Sequence, residues 1–282
     1  MKTKAALNIV FYILFAGSAF SVILILLFIL TDIFTKGFQT FSWTFLVENP
    51  KKGMTEGGIY PAILGTVITT FVSTLVSMPL GISCAIYLNE YAPKGHLQNL
   101  IRACIRNLSG VPSIIYGLFG LAIFVQALQM GTSILAAGLT LGLLSLPYVV
   151  TTAEEALKTV PNSLREATLA LGATKFETLK DVVLPQATPG IMTGLVLALS
   201  RAAGETAPIL FTGVTFYINQ PSFSLHHEFM ALPYHIYVLS TQHSSVELVR
   251  PIAYATASML ISIVFIFNLF AFFIRHHYSK NK

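Results

Sequence analysis

Long apolar runs separated by short polar segments set the pattern of this chain. A helix needs about 20 residues to cross roughly 30 Å of hydrocarbon. Six runs are long and apolar enough: Asn8–Leu30, Ala62–Leu88, Ser109–Leu128, Ser133–Thr152, Gly190–Thr212 and Ile252–Ile274. Gly117, Gly120, Gly138, Gly142, Gly190 and Gly194 fall within them and permit close helix approach, as small residues do in membranes. The pattern predicts an all-α chain forming one transmembrane domain over 1–282, without internal repeats or a separate soluble domain. Two connecting segments exceed what a connector needs: Thr31–Pro61, with Trp43 and several phenylalanines, and Gly213–Pro251, rich in aromatics and histidine. The plain reading of both is an aromatic belt at the membrane interface.

Composition agrees with a bilayer as solvent. Of 282 residues, 54% are hydrophobic and 10% charged, against about 25% charged in a soluble domain. The mean hydropathy is +0.72. A net charge of +5 could suggest nucleic acid, but the basic residues sit in the short segments between spans, which excludes that reading. With the N-terminus inside, Lys2, Lys4, Lys94, Arg102, Arg106, Lys158, Arg165, Lys175, Lys180, Arg275, Lys280 and Lys282 are cytoplasmic. Only Lys36, Lys51, Lys52 and Arg250 are external. The positive-inside rule therefore places both termini in the cytoplasm and the chain in the cytoplasmic membrane. The first apolar run is too long for a signal peptide and lacks a cleavage pattern. Cys84 and Cys104 give neither a disulfide framework nor a metal spacing. There is no nucleophile–base arrangement and no phosphate-binding loop of the G-x-x-x-x-G-K-[ST] type, so no enzyme activity and no bound cofactor are expected.

The segment between the fourth and fifth runs, Ala153–Pro185, is polar and helical in character. Ser163 precedes Glu166 by three residues and Thr174 precedes Glu177 by three, the spacing of two capping boxes. Gly172 lies between them, where a helix end needs a left-handed residue. Pro185 stops the second helix from continuing unkinked. Two short helices with a bend at Gly172 follow, with Leu164, Ala167, Leu171 and Phe176 as an apolar edge. Such an edge suits a groove on a partner, or equally an amphipathic connector lying on the membrane. Glu166 can serve either as a charge near a helix N-terminus or as a docking group.

The costliest residues are Arg201 and Glu205, four apart within the fifth run. A charge at bilayer depth costs about 2.5–3.5 kcal/mol on insertion scales, so it faces a partner, a cavity or a transported ion. At this spacing the two share a helix face and can pair. Arginine offers a planar fork that matches phosphate oxygens. Glu205 has two fitting roles: it holds the arginine in place without substrate, or it accepts the proton of HPO4²⁻, which sulfate lacks. A structural ion pair that fixes helix packing is the competing reading. Gly204 would allow close backbone approach, and Pro208 would free a carbonyl and bend the helix. Elsewhere, His226 and His227 with Glu228 have poor metal-ligand spacing and read as a surface contact. Tyr148 reads as packing at the cytoplasmic interface. Asn107 and Ser113 flank a Gly-Val-Pro break, most simply as a helix cap.

Two stretches resemble known transport families. Glu166-Ala167-Thr168, Gly172 six residues after Glu166, and Val182-x-Leu184-Pro185 resemble the EAA loop, E-A-A-x3-G-x9-I-x-L-P, of ATP-binding-cassette importer permeases. Thr168 and Val182 are mild departures. The resemblance implies a type I, MetI-like fold of six transmembrane helices. It also implies a cytoplasmic coupling helix docking on an ATPase through Glu166, Ala167, Gly172, Leu184 and Pro185. ATP and Mg would then bind the partner ATPase alone.

Arg201-x-x-Gly204-Glu205-Thr206-Ala207-Pro208, Gly110 to Gly120 (GVPSIIYGLFG) and Leu146-Pro147-Tyr148 resemble the permease subunits of the bacterial phosphate-specific importer. Met230-Ala231-Leu232-Pro233 with Ile236-Tyr237 is more similar to their A-type than their C-type member. The resemblance spans about residues 60–275. It implies a C-type sister permease, an ATPase dimer, an external phosphate-binding protein and phosphate itself as partners, in a lipid setting. It implies Arg201 and Glu205 as substrate-pathway residues, with Gly204 and Pro208 shaping that helix. Alternatives are the same architecture for molybdate, sulfate or phosphonate, an autonomous ion-coupled transporter, and a non-transporting scaffold.

Overall fold

The computed structural model describes residues 2–218 and 224–280. Lys282, and residues 219–223 of the second long segment, lie outside them. The elements in chain order are helices α1 (Lys2–Phe38) and α2 (Trp43–Val47), a two-stranded antiparallel hairpin of β1 (Pro50–Lys51) and β2 (Glu56–Gly57), and then helices throughout. These are α3 (Tyr60–Ile86), α4 (His96–Ser109), α5 (Ser113–Gly120), α6 (Ile134–Lys158), α7 (Asn162–Ala170), α8 (Lys175–Glu177), α9 (Leu184–Gly204), α10 (Ala207–Leu210), α11 (Leu232–Thr241) and α12 (Val246–Lys280). Wide π-turns extend α3 over Tyr87–Tyr91 and α5 over Leu121–Ala127, and join α8 to α9 over Thr178–Val183. Five helical runs are long and apolar enough to cross a membrane. A sixth crossing arises if α4 and α5, bent by 101° at Gly110–Pro112, count as one broken span.

Helix α6 is the axis of the bundle, with α3 and α9 packed along it. The contacts run through small residues. A Cβ on Gly138 would collide with Val72 of α3, and one on Gly194 with the Thr152 hydroxyl of α6. In lipid, helices gain little from apolar burial as such, so close approach and dispersion must supply the cohesion. Helix α1 stands apart. It is apolar on every side and exposed from Ile9 through Ile29, as befits a lipid-facing helix. It touches α12 where Gly37 meets Ser258 and Tyr254.

Part of the second long segment is buried in the bundle, while its Phe216, Tyr217 and Tyr237 stay exposed. Phe229, Met230, Ala231 and Leu232 are all at most 3% exposed. They enter the bundle between α3 and α12, and a Cβ on Gly65 would sit 2.0 Å from the Met230 carbonyl oxygen. The Leu232 N–H donates to the Thr66 hydroxyl (2.8 Å). Backbone carbonyls of Thr212, His227 and Leu225 accept from the N–H groups of Ser133, Ile134 and Leu135 (3.0, 3.1 and 2.9 Å). The segment thereby satisfies the unpaired donors at the start of α6, which a buried helix end requires. Gly65→Val, by driving a side chain into that backbone, is expected to cost at least the 1–3 kcal/mol (roughly) typical of overpacking. A lowered thermal midpoint of the detergent-solubilised protein checks this.

Three local expectations are corrected. Ser163 does not cap a helix. Helix α7 begins at Asn162, directly after Pro161, which takes the N-cap position with an extended ψ of 138° and no side-chain cap bond. Ser113 likewise is the first residue of α5, behind Pro112, and caps nothing. Pro185 does not end the helix before it. The π-turn Thr178–Val183 widens the backbone ahead of the proline, so the helical run passes through from Lys175 to Gly204.

Candidate functional site

The fifth apolar run does not carry one continuous helix. α9 ends at Gly204, and Glu205 takes extended backbone angles (φ −75°, ψ 131°) before α10 begins at Ala207. Gly204 and Pro208 bracket the break and weaken helix continuation on either side of it. Glycine lacks a restraining side chain, and proline at the second position of α10 has no N–H to give the turn before it. Arg201 therefore sits in the last turn of α9, where its charge also meets the negative end of the helix dipole.

The depth of this break follows from packing. Gly190 and Gly194 of α9 meet Ala156 and Thr152 of α6, so the two helices run antiparallel. Arg201 then reaches the level of Tyr148, and its guanidinium carbon lies 4.5 Å from the centre of the Tyr148 ring. At 1.5 Å per residue, Tyr148 is about 21 Å from the Ile134 end of α6 and about 15 Å from the Lys158 end. Tyr148 is four residues, about 6 Å, from Thr152, where the apolar run of α6 ends, so the pair lies inside the span towards its Lys158 end. Stacking a guanidinium on an aromatic face is worth about 0.5–2 kcal/mol according to desolvation.

The second break of the bundle arrives at the same place. The α4–α5 bend leaves carbonyls of the last turn of α4 without helical partners. The hydroxyls of Tyr116 and Tyr148 donate to the Leu108 and Ser109 carbonyls (2.9 and 3.4 Å). α10 packs against α5 at Gly117, where a Cβ would lie 3.0 Å from both the Ala207 carbonyl oxygen and the Pro208 Cα. The two motifs GVPSIIYGLFG and GETAP are therefore packed against each other. Irregular backbone at membrane depth persists only where protein or a water-filled cavity receives it. Broken helices that meet near the midplane are how transporters expose backbone and charge to a substrate.

Arg201 and Glu205 do pair, Nε to Oε1 at 3.2 Å. The glutamate side chain is mostly covered while the arginine is 41% exposed. The carboxylate takes the Nε side of the fork. The edge formed by the two terminal nitrogens faces no other carboxylate among the described residues. That edge carries the parallel N–H pair suited to an oxyanion. Gly204 meets no neighbouring atom within 4 Å at its Cβ position, so it serves the break and not a close helix contact. Pro208 is buried against α5 and opens α10, and so does not kink a continuous helix. One residue before Arg201, the Ser200 hydroxyl donates to Asn268 Oδ1 of α12 (2.7 Å). Asn268 was not singled out by sequence, and Tyr148 was read as an interface residue without its arginine partner. A lone amide in the last apolar run was the available signal for the first. For the second, only the fold brings it to the arginine.

At the opposite end of α9 projects a bent arm. α7 is exposed along most of its length, including Glu166 and Ala167. Gly172 has φ +91°, a left-handed geometry that lets the chain turn sharply into α8. α8 opens with the expected capping box: the Thr174 N–H and hydroxyl donate to Glu177 Oε2 (2.7 and 2.8 Å), and the Glu177 N–H donates to Thr174 Oγ1 (3.2 Å). The backbone and hydroxyl of Thr174 hold the Glu177 carboxyl below the usual carboxylate range. Leu164, Leu171 and Phe176 are exposed, with Leu171 at 88%. Leu184 packs into the core beside Leu157 and Val183, and Pro185 lies exposed at the start of α9. His226, His227 and Glu228 form no metal site among the described residues. Glu228 accepts from the Thr132 hydroxyl (2.7 Å).

Five or six helical runs able to cross a membrane, two broken helices packed together beside Arg201, and a polar arm at one end are the features of a membrane transport permease. A family described as binding-protein-dependent transport system inner membrane component matches residues 77–280. The chain is 33% identical over 258 residues to the probable ABC transporter permease protein YqgI of Bacillus subtilis (strain 168), covering 88% of this chain and 87% of that protein. It is 37% identical over 234 residues to the phosphate transport system permease protein PstA 1 of Mycobacterium tuberculosis (strain ATCC 25618 / H37Rv), covering 83% and 74%. It is 32% identical over 272 residues to PstA of Pasteurella multocida (strain Pm70), covering 96% and 93%. Among solved structures, a bacterial ABC transporter involved in alginate import aligns with TM-score 0.64 at 14% identity, over 94% of this chain and 96% of that one. The inward-facing MetNI methionine ABC transporter aligns with TM-score 0.62 at 20% identity, over 78% and 97%. These last two establish the fold, the MetI-like permease fold of ABC importers. The chain belongs to the family of binding-protein-dependent transport permeases, among the PstA-type members.

Proposed function

We propose that this chain is the membrane-spanning permease subunit of an ATP-driven importer of inorganic phosphate, with Arg201 as the group that meets the anion in transit. The observation that carries this reading is Arg201 itself, stacked on Tyr148 where two broken helices meet and 41% exposed beside its carboxylate partner. The phosphate transport systems to which the PstA relatives belong support phosphate over molybdate, sulfate or phosphonate. The exposed arm α7–α8, with Glu166, Ala167 and Gly172 on it, docks on an ATPase dimer that supplies the hydrolysis this chain has no phosphate loop to perform. ATP and Mg belong to that partner. The excess of Lys and Arg at the arm's end places the arm and both termini in the cytoplasm. A C-type sister permease covers the exposed face around Arg201, and an external phosphate-binding protein delivers substrate at the hairpin end. Glu205 holds the Arg201 fork by its Nε side between substrate molecules. Closure of the ATPase dimer drives the bundle between inward and outward openings.

The test is uptake of labelled phosphate by the complex reconstituted with its ATPase and binding protein, with sulfate as competitor. ATP-dependent uptake that sulfate does not suppress is the expected result. Uptake without ATP or partners would replace this reading with an autonomous transporter. A docking role for the arm is checked separately. Gly172→Val forces a β-branched residue into left-handed geometry and, with Glu166→Gln, is expected to reduce ATPase co-purification while the permease itself remains monodisperse.

A further inference from the structure

The search for unassigned chemistry leads to the root of the arm. Arg165 is the one largely covered charge on α7, and every N–H of its guanidinium has an acceptor. Nε donates to Glu90 Oε2 (3.4 Å) and Nη2 to Glu90 Oε1 and the Leu157 carbonyl (both 2.9 Å). Nη1 donates to the Val160 carbonyl (2.5 Å) and Asn162 Oδ1 (3.3 Å). Arginine has five N–H donors in a rigid fork, and here all five are spent. The Leu157 and Val160 carbonyls lie in and just past the last turn of α6, the helix end that favours a cation. Glu90 lies in the π-turn that ends the α3 run. The Arg165 and Glu90 side chains are 15% and 17% exposed.

The chain path gives this contact its meaning. The arm is joined covalently to α6 through Thr159–Pro161 and to α9 through Thr178–Val183. No covalent connection leads to α3, which packs against both α6 and α9. Arg165–Glu90 is the only ion pair between the arm and the α3 run among the described residues. Resting on the transport reading above, we propose that Arg165 and Glu90 form the joint that delivers movement of the ATPase-docking arm to α3, so that α3, α6 and α9 move as one unit during transport. Both are positioning residues. A bidentate, largely covered arginine–carboxylate pair suits this task, because its geometry is fixed by the fork. Lysine at 165 keeps the charge but cannot reach four acceptors at once.

The test uses the complex with its ATPase and binding protein in proteoliposomes, comparing wild type, Glu90→Ala, Glu90→Gln and Arg165→Lys. The readout is phosphate imported per ATP hydrolysed, beside ATPase rate and the yield of assembled complex. Wild type should show ATP-driven uptake. Glu90→Ala and Arg165→Lys should assemble and hydrolyse ATP while import per ATP falls by about five- to a hundredfold, the range of coupling free energies between linked sites. Glu90→Gln, which keeps one acceptor oxygen, should fall between. Unchanged import per ATP in Glu90→Ala would overturn the joint. So would loss of assembly in the isosteric Glu90→Gln, which would make the pair a folding contact. A wild-type complex without ATP-driven uptake would instead overturn the transport reading, and the joint with it.

Discussion

Arg201→Gln is expected to abolish phosphate uptake by the assembled complex without lowering its yield. Glutamine keeps some hydrogen-bonding capacity but is shorter and loses the charge, the guanidinium fork and the stack on Tyr148. Charge-assisted hydrogen bonds are worth about 1.5–3 kcal/mol each, so even one lost from the transport barrier slows passage about ten- to hundredfold. Arg201 also neutralises Glu205, whose side chain is only 16% exposed. Removing the arginine leaves a covered carboxylate that repels a dianion, which deepens the defect. Arg201→Lys separates charge from geometry: it restores the cation but neither bidentate contact nor stacking, and uptake should recover only in part. Wild-type uptake by Arg201→Gln would remove Arg201 from the pathway, and failed assembly would make the pair a packing device. Glu205→Gln resolves the second half of the site. If Glu205 reads the phosphate proton, sulfate becomes an effective competitor in this variant. If it only holds the arginine, uptake weakens while discrimination against sulfate persists.

What the sequence conveyed about this site depended on how local the cause was. The turn at Gly172 and the capping box at Thr174–Glu177 were legible because each is decided within four residues. The family resemblance drawn from the E-A-T to L-P spacing and from R-x-x-G-E-T-A-P is borne out by the family match over residues 77–280. The break at Glu205 was not legible as a break. GETAP continues an apolar run, and a hydropathy window cannot tell a helix that crosses from one that stops halfway and resumes. Pro161 displaced the start of α7 and made Ser163 an ordinary helical residue. Phe229 of Gly213–Pro251 read as part of a belt with Phe216, Tyr217 and Tyr237, which do stay exposed, because composition alone cannot distinguish facing lipid from filling the gap between α3 and α12. Phe229 and Met230 do the latter because Gly65 leaves room for their backbone. Tyr148 and Glu90 gain their partners, Arg201 and Arg165, from residues more than fifty positions away, and no local pattern encodes such pairs.

The arm yields the other large effect. Leu171 and Phe176 flank the Gly172 bend and are 88% and 63% exposed, with no partner surface in the chain to cover them. Neither contributes to the permease core, so replacing both with alanine should leave the isolated permease as stable as before. In the complex they are the apolar groups most free to enter a groove on the ATPase, and a fully buried leucine or phenylalanine contributes about 1.5–3 kcal/mol. Losing both should weaken docking by about a hundredfold or more if the two contributions add. Titration of the solubilised permease complex with purified ATPase subunit reads this directly. The apolar character is the deciding variable: Leu171→Met with Phe176→Leu should dock nearly normally, while Leu171→Asp alone should prevent docking. Unaltered affinity in the double alanine variant would return the arm to the membrane surface as an amphipathic connector. In that case the Leu171→Asp protein should show weakened contact with lipid vesicles instead.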